Sequence, residues 1–439
     1  MFFSLLLSLA CCLEFPSDLE PFVVGRQWVE SNNHETQPCM AIDAHIRTYG
    51  GALVINLVGF CDDFFKNIPV VCEIVSFDYY AEVHEAKTVF RAPSNETRGG
   101  FVSPLFLAPS QYNDILMWHS MYVDCGPTQI DFGTVSLVSG NTRINNVVFE
   151  SSFAADEPTI ESAVCTRLYN TATWKPANTI RLLEWIEWTL SVGINSIHLY
   201  VHSVNSDDLW EILRFYVEEG AVVLHDWSDD AVMHAWELAQ VSHISDCLLR
   251  LEGVVKYVAL IDHDEFIQVA PDFETVVSAL EAARKENNVE SNIMRLDPLM
   301  LQSKLCRKTD SALHVAAYCS ACEYSYYNWS KYFLISDSKK PLKLMPYIHT
   351  ASSASESYDV PRKYSFIAHV KSKMQERDMC ESPVTVQWHE RTVNSTWNTL
   401  VSRPVVGEMY NESEFRRLVN ERANRRKISM KFKLEIDEH

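Results

Sequence analysis

Two rhythms of apolar and polar positions divide the chain. From Cys165 onward, continuous β-branched runs of strand length alternate with longer segments whose apolar residues recur at helical spacing. The runs "AVCTRLY", "NSIHLYVHS", "AVVLHDW" and "VKYVALID" predict four strands. The segments "TIRLLEWIEWTLSVG", "NSDDLWEILRFYVEEG", "MHAWELAQVSHISDCLLRL" and "PDFETVVSALEAARKENN" predict four helices. Asn178 or Thr179 is the expected cap of the first helix and Gly193 its stop; Ser206 or Asp207 and Gly220 bracket the second; Pro271 opens the fourth. Strands alternating with helices imply right-handed crossovers and a mostly parallel sheet, whose strands are buried on both faces.

Ahead of this region the pattern is different. Short alternating runs such as "GALVINLVGF", "VVCEIVSFDYY" and "QIDFGTVSLVSG" sit between Pro, Asn, Asp and Gly, which predicts a β-rich domain. The expected organisation is a leader over residues 1–15, a β-rich domain over 16–160, an α/β domain over 161–380 and a partly helical C-terminal extension over 381–439. The segment "SFAADEPTIESAV" holds the main boundary.

Composition narrows the function. The 439 residues carry a formal net charge of −20, which repels phosphate backbones and argues against nucleic-acid binding. A small polyanionic substrate would therefore need a metal ion beside it. The leader "MFFSLLLSLACCLEF" has the length of a signal-peptide core and falls short of the ~20 residues that span a bilayer. Its implication is the secretory pathway, in the Golgi lumen or membrane or beyond it, with a membrane tether at the N-terminus as one option. Ten of the 12 cysteines lie outside the leader, and four N-x-S/T sequons occur at Asn95, Asn328, Asn394 and Asn411. Cys319 and Cys322 form a C-x-x-C without a second pair, so disulfides are a better reading than zinc.

The chemistry concentrates in "KYVALIDHDEFIQVAP". An apolar run ends in Asp262, Asp264 and Glu265, and ligands of open α/β sheets bind beyond such carboxyl ends of strands. Clustered acids call for a cation. Asp262 and Asp264 form the only D-x-D of the chain; read as a strand continuation, they would face the same way and grip one Mg²⁺ or Mn²⁺ that also holds a diphosphate. A solvated acidic loop or a helix cap accounts for the same letters.

In order along the chain, "LLEWIEW", "VGINSIHLYVHSVNSDDLWEILRFYVEEGAVVLHDW" and "SDCLLRLEGVVKYVALIDHDEF" resemble the glycosyltransferases of family 92. The resemblance covers roughly Cys165 to Lys371. It implies a GT-A-like, Rossmann-type fold: α/β, a mostly parallel sheet flanked by helices, here preceded by the β-rich domain. It also implies transfer of a hexose, galactose from UDP-galactose, onto a glycoprotein or glycolipid glycan with Mn²⁺ or Mg²⁺ as cofactor.

Carried over, Asp262 and Asp264 match the metal and diphosphate motif. "KYFLISDSKKPLKLMPYIHT" places Lys331, as a nucleotide-binding residue, and His349 near the site, and "FIAHVKSK" matches His369; the further metal ligand that the resemblance implies is His369 first and His349 second. Asp246, within "SDC", and Arg167 and Asn170, in and after the first strand, are the expected nucleotide-binding residues. Inversion at the sugar carbon needs a carboxylate base, for which Asp297 and Glu323 stand at suitable distances along the chain. The chain departs from the family in "HVK" for "HYR" and "SDC" for "NDC". Those departures motivate a second reading, a catalytically inactive secreted relative that binds carbohydrate.

Overall fold

The computed structural model describes residues 158–168, 176–201, 207–227, 240–301, 313, 315–317, 320–323, 331–336, 357–370, 383–385 and 390–402 of the α/β region and the C-terminal segment. In the first part it describes 23–24, 28–29, 39–49, 52–61, 71–76, 81–85, 87–91, 119–130, 132–139, 142–143 and 146–150.

The α/β region begins as its apolar pattern predicts. Strand β1 (Ile160–Leu168) leads to helix α1 (Pro176–Ser191), then β2 (Ser196–Val201), α2 (Asp207–Glu218), β3 (Val222–Asp226), α3 (Gln240–Leu251) and β4 (Val255–Leu260). The four strands are parallel, in spatial order β3-β2-β1-β4. All six residues of β2 are buried, as continuous apolar runs require of a sheet covered on both faces. The chain then adds β5 (Glu265–Val269), α4 (Val276–Asn287), β6 (Ile293–Leu296), β7 (Pro298–Leu301), β8 (Ser320–Glu323), β9 (Lys331–Ile335), β10 (Ser357–Val360), β11 (Ser365–Val370), β12 (Pro383–Thr385) and α5 (Glu390–Ser402).

β9 joins β4 antiparallel, and β6 and β10 extend that side into an eight-stranded mixed sheet; Val23–Val24 pairs with β3 at the far edge. A second, five-stranded sheet runs β5-β11-β7-β8-β12. Strands between Trp28 and Glu150 form two further antiparallel sheets, the β-rich region expected from the sequence. One disulfide, Cys72–Cys125, lies there, and another, Cys165–Cys247, ties β1 to α3.

Two helix starts differ from expectation. α1 begins at Pro176, two residues before the expected cap; a proline in the first turn has no N–H to lose and a φ already set for helix. α4 begins at Val276 rather than at Pro271. There Thr275 and Ser278 exchange side-chain to backbone hydrogen bonds, at 3.1 Å in each direction. Gly193 ends α1 at φ +90°, and a Cβ there would lie 2.5 Å from Thr275 Cγ2, so the stop of one helix touches the cap of another. The third predicted helix is described from Gln240; residues 228–239 lie outside the described residues.

"LLEWIEW" is buried along its whole inner face. Trp185 and Trp188 are fully buried and donate their indole N–H groups to the carbonyls of Glu265 and Ile267, at 2.8 and 2.7 Å. Trp188 also meets Phe266 edge to face. Glu184 and Glu187 are buried as well, but satisfied: Glu184 accepts from the Val315 N–H and Glu187 from the Tyr216 hydroxyl. The motif is thus a clamp on β5. α5, in the C-terminal segment, packs on α1, with Ser191 and Thr396 hydroxyls 3.1 Å apart. Among the described residues no helix is long and apolar enough to cross a membrane.

Candidate active site

The site lies where β4 of the large sheet hands over to β5 of the second. The strand stops at Leu260, and the Glu265 N–H closes a turn onto the Asp262 carbonyl at 3.0 Å. Strand alternation therefore does not reach the D-x-D, and its two carboxylates meet different partners. Asp262 Oδ2 accepts from Lys331 Nζ at 2.8 Å. Asp264 Oδ2 instead lies 3.4 Å from His369 Nε2.

Register explains both partners. Tyr332 pairs with Leu260 across β9 and β4, which sets Lys331 beside the turn. His369 is the direct cross-strand neighbour of Glu265 on β11, and the Val370 N–H bonds the Asp264 carbonyl at 2.9 Å. Glu265, which the sequence pattern alone does not place in the site, becomes its centre. Its Oε2 lies 3.0 Å from Lys331 Nζ and accepts from the Asp262 N–H at 2.9 Å, while its Oε1 lies 3.4 Å from His369 Nδ1. The signal is present in the chain, since Glu265 comes directly after the D-x-D; only the turn geometry shows that it faces inward.

Burial grades the cluster. Glu265 and Lys331 side chains are 0% exposed and His369 8%, whereas Asp264 keeps 44% of its surface open. Burial, reinforced by Asp262 and Asp264, outweighs the nearby cations and pushes the Glu265 carboxyl up to about 7. A dication beside the cluster would work against that rise. Desolvation works against a charged Lys331, but Asp262 and Glu265 outweigh it and keep the ammonium protonated. Desolvation likewise opposes a charged His369, and Asp264 and Glu265 on either side raise its basicity above the ordinary value.

Asp264, Glu265 and His369 each bring a ligand atom within 4.8 Å of one another. Two buried atoms there, Glu265 Oε1 and His369 Nδ1, make no hydrogen bond among the described residues. The two carboxylates of the set suit Mn²⁺ or Mg²⁺, and the imidazole nitrogen is a ligand that transition metals accept. The residues fit the cation that the acidic turn calls for.

The other expected residues are spread more widely. Asp246 is fully buried on α3, where it accepts from the hydroxyl of Tyr200 on β2 at 2.5 Å and faces Arg250 at 3.5 Å; β1 lies between β2 and β4. Arg167 is half-buried near the end of β1, level with Tyr200. Asp297 is half-buried in the one-residue link between β6 and β7, and its carbonyl accepts from the Ile367 N–H at 3.0 Å. The backbone of Glu323 pairs with Leu299, whose other neighbour, Ala368, adjoins His369. Asn170 and His349 lie outside the described residues.

The model of glycosyltransferase family 92 matches residues 163–408, more than half of the chain and every element that builds this site. The chain belongs to glycosyltransferase family 92. Among curated relatives, galactan β-1,4-galactosyltransferase GALS3 of Arabidopsis thaliana is 26% identical over 132 residues, 30% of this chain and 25% of that protein. β-1,4-Galactosyltransferase galt-1 of Caenorhabditis elegans is 27% identical over 190 residues, 38% of this chain and 43% of that protein. The matched segment thus spans less than half the length of either relative. Among solved structures, GalNAc-T7 with UDP, GalNAc and Mn²⁺ aligns with a TM-score of 0.24 and 10% identity, over 51% of this chain and 45% of that one. A likeness so slight says nothing about function.

Proposed function

We propose that this family 92 member is a metal-dependent hexosyltransferase that moves galactose from UDP-galactose onto a glycoprotein or glycolipid glycan, with inversion. The observation that carries the reading is the convergence of Asp264, Glu265 and His369 at the end of a buried parallel strand. The galactosyltransferase names of the matched relatives support the donor.

Asp264 and His369 would hold Mn²⁺ or Mg²⁺. When bound, such a cation neutralises the diphosphate that leaves as the sugar bond breaks. The chain's own groups do the rest. Lys331 compensates the acids of the turn from the protein side, which leaves the open side of Asp264 to face substrate. The two indole N–H groups hold β5, and so the turn, against α1. Proton removal from the acceptor hydroxyl falls to a carboxylate, with Asp297 and Glu323 as the candidates. The leader, cysteines and sequons support a place in the secretory pathway, in the Golgi or secreted.

The test is transfer by the full chain from a panel of labelled UDP-sugars to glycan acceptors with manganese present. Turnover with UDP-galactose, lost in Asp264→Asn, is expected. A folded protein that turns over no donor favours the carbohydrate-binding relative instead.

A further inference from the structure

Five side chains form a single run of contacts, Asp262–Lys331–Glu265–His369–Asp264, with separations of 2.8, 3.0, 3.4 and 3.4 Å. Its Asp264 end is 44% and its Asp262 end 26% exposed, and its middle is sealed. We propose that Glu265 and Lys331 are positioning residues: Lys331 anchors one oxygen of Glu265, the other fixes the His369 ring through Nδ1, and Nε2 is thereby presented beside Asp264. This rests on the reading above, that Asp264 and His369 hold a dication.

The division of labour depends on which atoms are committed. Glu265 Oε2 meets two donors, the Asp262 N–H and the Lys331 ammonium. That leaves it no role toward a cation on the open side. Oε1 lies 3.4 Å from Nδ1 of His369; the two are close without being hydrogen-bonded as they stand, and neither atom makes a hydrogen bond to any other described residue. The two nitrogens of an imidazole point in different directions, so a ring held at Nδ1 has its Nε2 already aimed. A carboxylate behind Nδ1 keeps the hydrogen there and the lone pair on Nε2, the arrangement that metal-bound histidines use. Lys331 acts one step further back. Without it, buried Glu265 would be an uncompensated charge, free to turn or take a proton. The Lys331 ammonium is wholly enclosed by the protein, so it serves the turn and is not a contact for the donor phosphates.

Glutamine at position 265 would be worse than a simple loss. The two donors at the Oε2 position require an oxygen there, so the amide –NH₂ would face Nδ1. Nδ1 would then have to accept, and the ring hydrogen would move to Nε2, the nitrogen meant for the cation.

The experiment uses the full chain. Manganese affinity is read by electron paramagnetic resonance of the free ion, and the His369 tautomer by nitrogen-15 correlation spectra of histidine-labelled protein with magnesium. Wild-type protein should show Nδ1–H. Glu265→Gln should shift the population to Nε2–H and weaken manganese binding by about 10- to 100-fold. In a His369→Gln background the same change should cost no more than about twofold further, because a residue that acts through another loses its effect with it. Lys331→Met should weaken binding, and adding Glu265→Gln to it should make binding no weaker and the fold more stable than in Lys331→Met alone. Wild-type affinity in Glu265→Gln, an unchanged tautomer, or losses that multiply in the double variant would overturn the proposal while leaving the cation site standing. A wild-type protein that binds no manganese would overturn both.

Discussion

The Trp185 indole donates its N–H to the Glu265 carbonyl at 2.8 Å, across 80 positions of sequence. This contact joins the helix after the first strand to the residue at the middle of the acidic cluster. Trp188 repeats it two residues further along β5. Trp185→Phe keeps most of the apolar volume but leaves a buried carbonyl without this partner and a gap beside it. Together these should destabilise the protein by about 2–4 kcal/mol, read as a shift in the urea midpoint. Transfer and manganese affinity should fall as well, because the cluster hangs from the strand that the indole holds. A Trp185→Phe protein with wild-type stability would count against the clamp.

The helix stop at Gly193 makes a sharper comparison. Gly193 and Gly220 both end helices with positive φ, +90° and +73°, but only Gly193 would press a methyl against Thr275; nothing lies within 4 Å at Gly220. Gly220→Ala should cost only the left-handed backbone term, about 1–2 kcal/mol. Gly193→Ala should cost clearly more, as a larger drop in melting temperature, and should loosen the start of α4. Equal losses at the two positions would refute the contact.

Much of this architecture is legible in the chain and some is not. Four strands and four helices can be read from their apolar periods because burial enforces those periods. The end of β4 marks the candidate site because the apolar run that builds a buried strand stops at a cluster of acids. The starts of α1 and α4 depart from the apolar pattern because Pro176 has no N–H to satisfy and a φ preset for helix, and the Thr275–Ser278 pair caps its own backbone, neither of which apolar spacing records. The role of Glu265 is hidden for a related reason. Alternation has no force past Leu260, where the strand gives way to a turn, and the His369 partner lies about a hundred positions away on a different strand.

The disulfide Cys165–Cys247 closes 82 residues that contain α1, β2, α2, β3 and most of α3. Closing a loop of this size restricts the unfolded chain, so the paired Cys165→Ala, Cys247→Ala variant should lose about 2–4 kcal/mol in denaturant unfolding. Both cysteines are buried, and alanine leaves no unsatisfied polar group behind.

Stability should fall on acidification through His198. Its Nδ1 lies 3.0 Å from His225 Nε2, and burial, with Arg250 adding to it and Asp246 opposing, lowers its pKa from 6.5 to about 4. The unfolded state therefore binds the extra proton between about pH 6.5 and 4. The stabilisation is complete above 6.5 and drains away as pH drops toward 4, by roughly 3 kcal/mol in all. His198→Phe should show a flatter stability profile in that window. A variant with the wild-type slope would exclude His198 as the source.

The proposed cation at the end of β4 is tested most directly by isothermal titration calorimetry of UDP into the full chain, with manganese and then with EDTA. Binding that is readily measured with manganese should weaken at least about tenfold on chelation. The Asp264→Asn variant should bind UDP weakly under both conditions. Equal UDP affinity with and without the metal, in a folded wild-type protein, would contradict a cation shared between Asp264, His369 and the nucleotide.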